Sequence, residues 1–147
     1  MIETVQYHPS HGFELLERRV KETDLVLISL GDWQKVIEQL VSLGSAYTLL
    51  VDGKVEACAG IARHDPGFGE CWMLIPETAR RMVVTRWAIR VFLKEIETHN
   101  FRRLQAFVLC GFEAGKSFAE YFGFEREGIA RKYGPNGEDM ILYARVF

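Results

Sequence analysis

Cysteine is scarce in this sequence, and its pattern is unpaired: Cys58, Cys71 and Cys110 are odd in number, sit inside apolar runs and form no CxxC pair. Such usage argues against a disulfide framework and a cysteine zinc site, and it points to a reducing compartment. No stretch approaches the roughly 18 uninterrupted apolar residues of a membrane-spanning helix. The N-terminal Met-Ile-Glu-Thr-Val-Gln-Tyr also lacks the basic region and apolar core of a secretory signal. These absences predict a soluble protein, cytoplasmic at synthesis. Excess charge is missing too: 18 basic residues face 20 acidic ones for a net charge of −2, so no global field draws the chain to nucleic acid or an anionic membrane. Repeats, low-complexity tracts and linkers are lacking. The 147 residues, 48% hydrophobic, therefore read as a single domain, 1–147, with a sizeable core.

Hydrophobic periodicity supplies the elements. Residues 2–7 alternate and stop before Pro9, which predicts a strand. Phe13, Leu15, Leu16 and Val20 then recur at helical spacing. Residues 25–30 are apolar and ambiguous. Asp32 is placed to cap a second helix carrying Trp33, Val36, Ile37, Leu40 and Val41, with Gly44 just beyond it. Asp52-Gly53 between two apolar runs is a strong hairpin signal, because both central turn residues must take positive φ. His64 to Gly69 reads as the next turn and Glu70 to Ile75 as the next strand. From Thr78 to Thr98 the pattern is helical, with Thr85, Ile89, Phe92, Leu93 and Ile96 on one face and Arg86, Arg90, Lys94 and Glu97 on another. A strand at Leu104–Cys110, a short helix ending at Gly123 and two closing strands complete the order. The predicted class is α/β, a mixed (α+β) sheet of six to seven strands with helices on both faces, the long helix crossing over between parallel neighbours.

The stretch Cys110-Gly-Phe-Glu-Ala-Gly-Lys-Ser looks at first like a nucleotide-binding loop. A Walker A loop needs four residues between its glycines, and only three separate Gly111 from Gly115. A strand, a loop and a helix opening is the simpler reading.

That element order, with the ending FAEYFGFEREGIARKYGPNGEDMILYARVF, resembles the GNAT superfamily of acyl-CoA-dependent N-acyltransferases; the most specific parts are Gly123-Phe124, Glu127-Gly128 and the last hairpin with Asp139. The resemblance implies that the strand at 70–75 splays from the one at 104–110, that acyl-CoA lies in the cleft, and that amides opening the long helix hold its pyrophosphate. The family's loop, Gln/Arg-x-x-Gly-x-Gly/Ala, falls on Arg80, Arg81, Met82, Val83, Val84 and Thr85, where Val83 and Thr85 stand in place of small residues. The position of the family's tyrosine general acid holds Ala119. Tyr121, two helical positions on, points about 200° away. Phe112 replaces a frequent asparagine. A narrower resemblance, carried by Gly69-Glu-Cys-Trp-Met-Leu74, is to small GNAT-like internal virion or assembly proteins of short-tailed phages.

These departures imply a GNAT-fold protein without a cofactor that has lost acetyl-CoA catalysis. It would act through contacts with phage structural proteins or with itself, in the host cytoplasm and the virion. The alternative is an active acetyl-CoA-dependent N-acetyltransferase with an atypical site. In that case Glu70, beside apolar Phe68 and Trp72, or Tyr121 assists proton transfer; a solvated acid at a strand start is the competing reading of Glu70. Arg80, Arg81, Arg86 and Arg90 form a basic sector suited to CoA phosphates, an acidic partner or plain solvent, with nucleic acid the least favoured because no aromatics interleave. Arg86, Arg90, Trp72 and Phe112 are the expected interface residues. His8 and His11 lack a third ligand, so no metal is expected.

Overall fold

The computed structural model describes residues 1–18, 33–76, 78–134 and 137–147. In chain order the elements are β1 (Ile2–Gln6), α1 (Pro9–Glu17), α2 (Trp33–Ser42), β2 (Gly44–Val51), β3 (Lys54–Asp65) and β4 (Phe68–Leu74), then α3 (Arg81–Thr98), β5 (Arg103–Leu109), α4 (Glu113–Tyr121), β6 (Glu125–Ala130) and β7 (Met140–Val146). The strands make one seven-stranded sheet in the order β1-β2-β3-β4-β5-β7-β6. All neighbours pair antiparallel except β4 and β5, which are parallel because α3 crosses over between them. The expected mixed sheet of six to seven strands, with helices on both faces, is what the chain forms.

Local chemistry explains the first half of the sheet. Asp52 and Gly53 take φ of 51° and 77°, the positive pair that a two-residue hairpin turn requires, and so join β2 to β3. Side-chain alternation then builds two cores. On one face Leu15 of α1 and Ile37 of α2 pack with Val55, Cys58 and Leu74. On the other, Val84, Trp87 and Ala88 of α3 cover Leu49, Val51, Ala57 and Ala59, while Ala119 of α4 joins Phe92, Leu104, Ile141 and Tyr143.

The structure corrects several sequence expectations. α3 starts at Arg81, not Thr78, and its buried residues are Val84, Trp87, Ala88, Phe92 and Glu95. Leu93, expected in the core, is 48% exposed. The buried face of the helix includes Glu95 as well: Tyr47 donates its hydroxyl to Glu95 Oε1 at 2.6 Å, and His99 Nε2 and Arg63 Nη1 lie 3.4 and 4.0 Å from Oε2. A buried acid thus takes a place that hydropathy assigns to solvent. His64 and Asp65 belong to β3 rather than to a turn, although Asp65 Oδ1 does accept the Gly67 N–H. The capping role of Asp32, the end of the first helix at Val20 and residues 25–30 lie outside the described residues. Gly115 falls inside α4, which disposes of the phosphate-loop reading.

Candidate functional site

β4 and β5 run for seven residues each, yet they pair only at Phe68–Arg103, Gly69–Leu104 and Glu70–Gln105. Beyond Glu70 and Gln105 the strands part, and a fork opens toward their C-terminal ends. Because the two strands are parallel, α3 and α4 both begin at that open end. This is the place where an α/β sheet exposes backbone and helix N-termini to a ligand.

Alternation sorts the lining of the fork. Leu104, Ala106 and Val108 join the core under α3 and α4, so Gln105, Phe107 and Leu109 face the α1–α2 side. Trp72 and Leu74 pack with the α1–α2 core, which places Glu70 on that side as well. There Glu70 Oε2 lies 3.0 Å from His64 Nε2, and the His64 ring packs 5.1 Å from Phe68. Tyr133, from the β6–β7 connection, stacks on Phe107 with ring centroids 4.1 Å apart. Burial, and after it the Glu70 carboxylate, raise the Tyr133 phenol above its usual range. A carboxylate–imidazole pair with aromatic neighbours therefore stands at the apex of the fork.

Glu70 was legible in the sequence; its partner was not. His64 reads as turn chemistry, but β3 continues past it, and the register shift between Arg63 and Asp65 leaves His64 as the extra residue on the face of Ala62 and Glu70, within reach of the carboxylate. Counting outward from the turn misleads, because without the register shift between Arg63 and Asp65 it sets Arg63, not Ala62, opposite Glu70. Phe107 and Tyr133 come together through the β5–β7–β6 pairing and leave no local trace.

The other candidate positions scatter. Arg80 is the N-cap of α3, has no side-chain cap bond, and is exposed like Arg81. Geometry leaves the first N–H groups of the helix, from Arg81 to Val83, without intrahelical acceptors. Val83 turns toward β1, where it lines a small groove with Ile2, Thr4, Arg86, Trp87 and Arg90, so its side chain does not cover the fork. Thr85 lies on the stripe of Ile89 and Phe92, which faces α4. Glu56, only 5% exposed, accepts the Arg80 N–H at 2.6 Å and lies 3.6 Å from Arg18, so a carboxyl group sits beneath the helix start. Phe112 folds back on Gly115 and Val108 at the start of α4. Ala119 is buried in the core. Tyr121, 69% exposed, ends α4 at the opposite end from the mouth, in a groove of about 410 Å³ with Leu93, Phe122 and Arg145. Arg86 and Arg90 lie near the β1 edge, not beside Trp72 and Phe112, so the four expected interface residues do not form one patch.

Comparison of the whole chain with solved structures decides the fold. The ribosomal-protein-S18-alanine N-acetyltransferase from Escherichia coli superposes with a TM-score of 0.77 at 17% identity, covering 99% of this chain and 94% of that one. This is the GNAT N-acetyltransferase fold. The ribosomal-protein-alanine N-acetyltransferase from Brucella melitensis gives a TM-score of 0.74 at 16% identity over 99% of each chain. A ribosomal L7/L12 α-N-protein acetyltransferase in complex with coenzyme A gives 0.72 at 14% identity, covering 99% of this chain and 94% of that one. At the sequence level no protein-family model and no curated protein matches. Among the described residues of this GNAT fold, no helix is long and apolar enough to cross a membrane.

Proposed function

We propose that this GNAT-fold chain is an acyl-CoA-dependent N-acyltransferase working at the β4–β5 fork, with Glu70 as proton acceptor. The observation that carries the reading is the Glu70–His64 pair at the fork's apex, 3.0 Å apart. An acyl thioester would supply the activated carbonyl. The chain's part is to bind it, hold an amine beside it and remove the amine's proton. The residues present fit the diphosphate of such a donor: the N–H groups of Arg81 to Val83 lack intrahelical acceptors, exposed Arg80 and Arg81 add positive charge while the Glu56 carboxylate that takes the Arg80 N–H is offset by Arg18, and Val83 is turned aside. With its proton on Nε2, His64 donates to Glu70 Oε2 and holds the carboxylate facing the fork. The stacked rings of Phe107 and half-exposed Tyr133 stand beside the pair and offer an aromatic surface to an ammonium group. No α4 phenol assists the departing thiolate, since Ala119 stands there.

A second reading, a non-catalytic phage virion or assembly protein acting through protein contacts, is favoured by Ala119 and by Thr85 on the side of α3 that faces α4. Calorimetry with acetyl-CoA and a transfer assay on a panel of amines separate the two. Glu70→Gln should leave acetyl-CoA affinity unchanged and lower kcat by about 100-fold or more, the usual contribution of general-base catalysis. Absence of acetyl-CoA binding at millimolar concentration, together with copurification with virion structural proteins, would establish the second reading instead.

A further inference from the structure

Among the described residues β1 is one edge of the sheet, and four of its five residues are exposed. Asp52 N–H donates to the Met1 carbonyl at 2.9 Å and Tyr7 N–H donates to the Ala46 carbonyl at 3.1 Å, so the odd-numbered residues face β2. The N–H and C=O groups of Ile2, Thr4 and Gln6 therefore point to the open side. Natural edges are usually blunted by a lysine, a proline or a bulge. β1 has none of these: its register with β2 is unbroken and its only charge is Glu3. The opposite edge, β6, is broken by a register shift between Arg126 and Gly128 and carries Glu125, Arg126 and Glu127.

Directly above the β1 edge, Arg86 and Arg90 of α3 rim a groove floored by Ile2, Thr4, Val83 and Trp87, and Trp87 Nε1 donates to Thr4 Oγ1 at 3.0 Å. Both arginines are exposed, and among the described residues neither has an ion-pair or hydrogen-bond partner. One helical turn apart, they sit about 5–6 Å from each other. Side chains on one face of an extended strand, at i and i+2, are about 6.7 Å apart. A strand laid along β1 would thus present alternate residues to the two guanidinium groups.

We propose that the β1 edge, with Arg86 and Arg90, docks an extended acidic segment of another protein, which adds an eighth strand and pairs two carboxylates with the arginines. A second copy of this chain fits poorly. Antiparallel β1–β1 pairing would bring Ile2, Thr4 and Gln6 of the other copy to this face, leave Glu3 on the other face, and set arginine against arginine across the two-fold axis. The proposal is independent of the acyl-transfer reading, because the β1 edge lies three strands away from the fork.

The probe is a short fluorescent peptide alternating glutamate with valine, with a lysine-for-glutamate peptide as control. Fluorescence anisotropy should show saturable binding of the acidic peptide alone, and hydrogen exchange should slow at the amides of Ile2, Thr4 and Gln6. R86E combined with R90E should weaken binding by about tenfold or more. Gln6→Pro should weaken it as well, since it removes an outward N–H and none that pairs with β2. Circular dichroism and melting of both variants should match the parent. No binding at millimolar peptide, no change on Gln6→Pro, or equal binding of inorganic polyphosphate would overturn strand addition. Concentration-dependent dimerisation with the same amides protected and no peptide present would assign the edge to a second copy and overturn the proposal.

Discussion

Trp72 packs against Gly60 across the β3–β4 pair so closely that a methyl group on Gly60 would stand 2.8 Å from two carbons of the indole and 2.5 Å from the Ser45 carbonyl oxygen. The indole can move; the Ser45 backbone is held in the β2–β3 ladder. Gly60→Ala should therefore cost about 2–3 kcal/mol, the range of an overpacked core position. Urea unfolding measures it, with a shift in Trp72 fluorescence as the indole is pushed toward the fork. A cost below about 0.5 kcal/mol would mean that the sheet yields there and that the glycine is not required.

Gly123, just past the end of α4, has φ of +82°, but a methyl group there would meet Arg145 only at an ordinary 3.6 Å. Sterics outside the residue are thus removed from the question. Gly123→Ala should destabilise by about 1 kcal/mol through the left-handed backbone alone, and Gly123→Asn by less. Thermal unfolding of the two variants side by side checks the order. Equal destabilisation by both would point to lost packing instead.

Burial pushes the Tyr7 phenol from 10.0 up to about 12, with Cys58 and Glu38 adding to it, and burial likewise pushes the Cys58 thiol from 9.0 up to about 12. Between the unfolded and folded values the native state holds protons that the unfolded chain has released. Stability from these groups is whole below pH 9 and falls as pH rises toward 12. Tyr7→Phe should flatten the part of the fall above pH 10, read from urea midpoints across alkaline pH. On the acid side, burial lowers the His11 imidazole, with His8 adding to it, so the unfolded chain takes up that proton first. Stability should accordingly decline as pH falls below 6.5, and His11→Gln should reduce that slope.

Some of the site was written locally. Glu70 is a lone acid in an apolar strand next to Trp72, and alternation alone assigns its face. His64 is obscured by Pro66 and Gly67, which signal a turn, whereas β3 runs on to Asp65 with a register shift at His64 that no local pattern announces. Val83 looked obstructive because the motif position was known and the rotation of the helix was not. Tyr121 reads as a candidate for proton transfer, turned about 200° from Ala119, and the direction of α4 sets it at the far end from the fork.

What the sequence determined by itself was the order of elements, the Asp52-Gly53 hairpin, the crossover helix and the glycine that ends α4. These depend on backbone preference and on periodicities of two and 3.6 residues, which act over a few positions. The tertiary structure alone decided where β4 and β5 part, how α3 turns to bury Glu95, that Glu70 meets His64, and that β1 stands at an open edge beneath Arg86 and Arg90. Each of these depends on strand register and helix rotation, which are set by packing among residues tens of positions apart, and no short window of sequence contains that competition.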